Sequence, residues 1–195
     1  NITLDSPENL AALEFVKSLV PYSEDGPSAY EQNDMTTLFS DAKVAMIEQG
    51  PWGRNQIAKT INWGVAALPV GPSAKGPGTL LITDSLAVFK GTGVEDQAIS
   101  LAKFITAPER QWAAEMVQGL TPLRPLEPQT SELVAKTPYW KPFLDSIQFG
   151  GPEPLFTDYI GLQNTMIEMV QSVVTGAAEP QAALTKAAAD LEQFK

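Results

Sequence analysis

The chain has 195 residues, 44% of them apolar and 18% charged, with a mean hydropathy of −0.07, values of a soluble globular protein rather than of a disordered or fibrous one. His and Cys are both absent, which excludes Ser-His-Asp and Cys-His catalysis, zinc centres built from those ligands and any disulfide, and leaves only oxygen ligands for Ca or Mg. The net charge of −10 and the pI near 4.4 oppose binding to nucleic-acid phosphate or to an anionic membrane surface.

The first predicted helix opens at Ser6-Pro7-Glu8, where Ser caps free N–H groups, Pro suits the first turn and Glu suits the positive helix end. Leu10, Leu13, Val16 and Val20 follow at helical spacing, and Pro21 stops it. A polar loop around Asp25-Gly26-Pro27 leads to a second helix over 30–40. Val44-Ala45-Met46-Ile47 reads as a buried strand ending at Gly50-Pro51, and Trp52–Thr60 as a short helix. Further strands are expected at 63–68, 80–82 and 86–89, with a turn-rich loop over 70–78. The Gly-rich loop lacks the Lys-Ser/Thr of a phosphate-binding P-loop.

After Gly91-Thr92-Gly93 the pattern turns helical. Ala98, Leu101, Ala102 and Ile105 mark one face, Thr106-x-x-Glu109 reads as a capping box, and Gly119 ends the helix carrying Trp112 and Met116. Residues 120–130 form a proline-rich loop, and two short helices fill 130–148. A long helix over 156–175 places Ile160, Ile167, Val170 and Val174 on a stripe, with Met166 and Met169 as core residues. A last helix over 179–194 points Leu184, Ala188, Leu191 and Phe194 inward. Short apolar strands among many helices imply an α/β fold with a short mixed sheet covered by helices. A single domain of this length buries about 70% of its unfolded surface.

Four places could carry chemistry. Trp52 follows an apolar run and Gly-Pro, at the end of a strand where open α/β sheets bind ligands. Its indole either stacks on the flat C–H face of a pyranose or fills the core under a loop. Asp84 and Ser85, in Thr83-Asp84-Ser85, either hydrogen-bond polyol hydroxyls or form a plain turn. Arg124, between Pro122 and Pro125, offers a five-donor fork to hydroxyls, carboxylate or phosphate, or is a surface cation. Glu153 and Asp158 would have to face one bond to act as a glycosidase pair, and spacing alone does not place them so. Charge is also uneven: residues 1–50 carry net −7, 51–90 net +3 and the remainder net −6. The basic stretch either lines a site for a polar ligand or reflects solvated faces.

Several segments together resemble one family. Phe39-Ser-Asp-Ala-Lys-Val-Ala-Met-Ile-Glu-Gln-Gly-Pro-Trp52 is similar to the F-x-x-G-K-x-A-M-x-x-x-G-P-W stretch of extracellular solute-binding proteins of ABC importers, in the maltose-binding-protein-like group. The resemblance continues in order through Ile61–Pro72, Leu86–Lys90, Ala98–Gln111, Gly119–Pro125, and the pair Val173–Gly176 and Ala182–Leu184. It implies a type II periplasmic-binding-protein lobe, without catalysis, cofactor or metal. The chain has no initiating Met and reads as mature, trimmed or truncated. The family pattern starts near its middle here, so the resemblance implies a C-terminal portion with the N-terminal lobe missing. On that basis 1–85 and 120–195 form the C-terminal lobe, and 86–119 crosses to the other lobe and returns.

By the same resemblance Trp52 stacks on sugar and Arg124 reaches ligand. Asp84 and Ser85 stand where many members have a Gly-Gly turn, and Ala42 replaces the usual Gly before Lys43. The expected partners are a sugar or polyol and the transmembrane permease subunits, outside the cytoplasmic membrane in the periplasm or on the cell surface as a lipoprotein. Self-association of the truncated chain is also an expectation. Rival readings are a phosphorylated polyol such as glycerol phosphate as ligand, a carboxylate-based glycan-cleaving enzyme, and a pure interaction module.

Overall fold

The computed structural model describes residues 2–71, 74–121 and 126–194. Helix α1 (Pro7–Leu19) starts where its cap predicts: the Ser6 side chain accepts from the Asn9 N–H at 3.3 Å. A 3-10 turn at Val20–Tyr22 absorbs Pro21. Helix α2 (Gln32–Ser40) opens with a reciprocal box between Glu31 and Asp34, in which Asp34 accepts from the Glu31 N–H at 3.0 Å. Helices α3 (Glu95–Ile105) and α4 (Pro108–Gln118) form a hairpin, followed by α5 (Gln129–Lys136), α6 (Trp140–Ser146), α7 (Tyr159–Val174) and α8 (Pro180–Leu191).

The sheet is a two-stranded parallel ladder of β1 (Thr79–Leu80) and β2 (Gly150–Gly151), extended by the Leu81 N–H donating to the Gly151 carbonyl at 2.8 Å. The expected strands at 44–47, 63–68 and 86–89 are irregular segments, and only the start of the 80–82 strand pairs. An apolar run becomes a strand only when a neighbour satisfies its N–H and C=O groups. Among the described residues these runs have no such neighbour, and Met46 and Phe89 stand 85% and 83% exposed.

The core lies where α1, α7 and α8 meet. Leu13, Met169, Val173, Ala183, Leu184 and Ala187 form one buried cluster, and Lys17 of α1 reaches Glu179 before α8 at 2.8 Å. On α7 the buried set is Leu162, Met169 and Val173, while Ile160 and Ile167 are exposed. Periodicity alone could not choose between two rows that both keep a seven-residue spacing; packing against α1 and α8 does. The Thr106-x-x-Glu109 box is not formed. Thr106 closes α3 instead, its hydroxyl donating to the Ala102 carbonyl at 2.9 Å, and Ala107 stands before α4 without a side-chain cap.

Neither α3 nor α4 buries a side chain. Leu101, Phe104 and Val117 on these helices are exposed, as are Ile82, Leu86 and Phe89 on the segment before them. The accessible surface is 13667 Å², whereas a self-contained monomer of this mass exposes about 9,000 Å². The chain therefore combines a buried helical core with exposed apolar residues on and before the α3–α4 hairpin.

Candidate functional site

Gly50-Pro51 breaks the apolar run and starts a 3-10 turn, Pro51–Asn55, with Pro at its first position, where its fixed φ fits and no N–H is needed. Trp52 projects from this turn with 37% of its surface exposed. Its six-membered ring folds back over Gly50 so closely that a Cβ there would lie 2.2 Å from two ring carbons. Only glycine permits this placement. Of the two readings left open for Trp52, the structure puts the indole at the surface rather than in the core.

Two sets of side chains hold the turn. On one side Gln49 accepts from Gln32 Nε2 at 2.7 Å and from the Gly50 N–H at 3.0 Å, and donates to the hydroxyl of buried Thr36 at 2.9 Å. On the other side Arg54 donates to the Met116 carbonyl, and Asn55 Nδ2 donates to the Val117 carbonyl at 3.1 Å. Both acceptors are last-turn carbonyls of α4, which a continuing helix would have satisfied. Helix α4 ends at Gly119 in the left-handed region, with φ 80°. A Cβ on Gly119 would lie 3.1 Å from the Cα of Trp52, so the loop and the helix end meet backbone to backbone.

Arg54 also faces aromatic side chains. Its second terminal nitrogen donates to the Tyr139 hydroxyl at 3.3 Å, and its guanidinium stands 5.2 Å from the ring centroid of fully buried Trp140. Trp63 packs on Tyr139, Tyr139 stacks on Trp140, and Trp140 meets Phe143 edge-on, at centroid distances of 5.1, 5.6 and 6.4 Å. Partial burial pushes the Glu115 carboxyl of α4 above its usual range, opposed by a 2.9 Å hydrogen bond from Gln111 Nε2.

Asp84 and Ser85 lie on an exposed irregular segment, and no hydrogen bond among the described residues joins them to the Trp52 turn. Arg124 lies outside the described residues. Glu153 and Asp158 have structural partners. Glu153 accepts from the Tyr159 hydroxyl, which is held protonated to higher pH by that bond, and Asp158 caps α7 by accepting from the Gly161 N–H at 2.9 Å. Of Arg54, Asn55, Tyr139 and Trp140, the sequence points only to Arg54, as one cation of the basic 51–90 stretch. An Arg two residues beyond a Gly-Pro-Trp turn and a Tyr-Trp pair after a proline were the only local signals.

The arrangement offers a flat apolar ring on a braced turn, suited to binding a ligand rather than to breaking bonds. A profile of bacterial extracellular solute-binding proteins matches residues 1–141. Inferred binding proteins of Brucella abortus and Brucella suis are 28% identical over 195 residues, spanning 95% of this chain and 46% of theirs. Among solved structures, maltose-bound MalE3 of T. maritima superposes with a TM-score of 0.78 at 21% identity, over 99% of this chain and 52% of that one. The maltose/maltodextrin-binding domain MalE of Bdellovibrio bacteriovorus, bound to maltotriose, gives 0.70 at 26% identity, over 99% and 51%. The chain thus spans about half the length of the curated relatives it matches. It belongs to the bacterial extracellular solute-binding protein family.

Proposed function

We propose that this chain is part of a receptor that captures a sugar or related polyol outside the cytoplasmic membrane and delivers it to the permease of an ABC importer. The observation that carries the reading is the half-exposed Trp52 indole on a turn braced from two sides. A rigid flat ring matches the apolar face of a pyranose, and immobilising it beforehand lowers the entropy lost on binding. The two solved relatives named above hold maltose and maltotriose. In this reading Trp52 stacks on the ring, while Asp84, Ser85 and Arg124 hydrogen-bond the hydroxyls, which must be satisfied once desolvated. Residues 1–85 and 120–195 belong to one lobe and 86–119 pack against a second. The absence of any buried side chain on α3 and α4 supports that division.

Calorimetric titration of maltose and maltotriose into the chain and its Trp52→Ala variant tests the reading. Removing the indole will weaken binding by about tenfold to a hundredfold, roughly 1.4–2.8 kcal/mol. Equal affinities of the two proteins would sink it.

A further inference from the structure

We propose that Arg54 and Asn55 are positioning residues for Trp52, fixing the indole by fastening its turn to the C-terminal end of α4. The proposal rests on the reading of Trp52 as the sugar platform. The four groups involved come from two stretches 62 residues apart in sequence. Each bond joins a side chain of the Trp52 turn to a main-chain carbonyl that α4 leaves unpaired. A guanidinium suits this place because the last carbonyls of a helix carry partial negative charge. Arg54 is itself held from behind by the Tyr139 hydroxyl and the Trp140 ring, so it cannot swing away without losing both. Gly119 completes the joint by letting the two backbones touch.

The turn and the end of α4 consequently move as one piece. Gln49 alone does not fix the indole, because its bonds run to α2 and reach the turn only at Gly50. Arg54 thereby acts through Trp52 and need not touch ligand.

The test uses the full chain labelled with 5-fluorotryptophan, the Trp52 resonance being assigned by its loss in Trp52→Phe. In Arg54→Met, and to a smaller extent in Asn55→Ala, the Trp52 fluorine line will shift or broaden at least twofold, and Arg54→Lys will restore part of the wild-type line. Maltose affinity will fall about fivefold or more in Arg54→Met, yet the same change will cost nothing further on a Trp52→Ala background, as expected for residues acting as a unit. A merely structural Arg54 would disturb the Trp140 line and leave Trp52 unmoved; that result overturns the proposal. If Arg54→Met does not fold, Asn55→Ala decides, since its side chain is exposed. The fluorine readout is independent of ligand. A Trp52→Ala variant that binds maltose normally would therefore refute the sugar platform, while the Trp52 line still decides whether Arg54 and Asn55 hold the ring.

Discussion

Ala42 carries the clearest local strain. It follows α2 with φ 54°, and is the one non-glycine residue at positive φ among the described residues. A Cβ crowds the following carbonyl there, at a cost of about 1–2 kcal/mol, which glycine avoids. Ala42→Gly will therefore stabilise the chain by about 1 kcal/mol, after allowing for glycine's freer unfolded state. Urea titration will show a higher midpoint at unchanged slope, and an unchanged or lower midpoint would contradict the strain. The sequence pattern located this turn, because family members place Gly before the lysine. It did not reveal the left-handed backbone. The turn at Gly-Pro-Trp was similarly legible, whereas the contacts of Arg54 were not. They run to a carbonyl and rings from distant parts of the chain, and no local spacing encodes them.

At the level of elements, helices were far more legible than strands. A helix satisfies its own backbone, so Ser6, Gly119 and Gly176 suffice to mark ends without knowledge of what packs nearby. The strands at 44–47, 63–68 and 86–89 depended on neighbours that the sequence pattern could not supply. The start of α3 gives a pH prediction. Glu95 accepts from the Gly91 and Thr92 N–H groups at 2.6 and 3.0 Å. Its own backbone N–H, with those of Gly91, Thr92 and Gly93, holds the carboxyl below the usual glutamate range. Because the folded value is lowered, the stabilisation is complete above the unfolded value and is lost as pH falls through the folded one. The amide shifts of Gly91 and Thr92 will titrate together with a midpoint below that of an ordinary glutamate, and Glu95→Gln will abolish the transition. A midpoint at the ordinary value would show that the amides do not hold the carboxylate.

The whole molecule exposes about 4,700 Å² more than the size rule predicts for its mass. Leu101, Phe104 and Val117 on the α3–α4 hairpin, with Leu86 and Phe89 before it, are among the exposed apolar side chains that contribute to it. Sedimentation velocity on the chain alone will show concentration-dependent association, and Phe89→Ser with Leu101→Ser will reduce it. A monomer at all concentrations would mean that these side chains fold inward in solution. The lobe-like fold was legible from ordered family segments across the chain. That 86–119 would lack a packing partner is likewise an expectation of the resemblance; composition alone does not carry it, since it records how many apolar residues exist but not what lies against them.

The tryptophans at 52, 63, 112 and 140 all lie outside the buried cluster shared by α1, α7 and α8. Ultraviolet emission from this chain will consequently report on the Trp52 turn, α4 and α6 and stay nearly blind to the helical bundle, while far-ultraviolet ellipticity weighs both. Because separate regions of a protein can open at different free energies, the two optical signals need not trace one curve on heating. The emission change will precede the ellipticity change, and coincident curves would instead show that the braced turn and the bundle melt as a single cooperative unit.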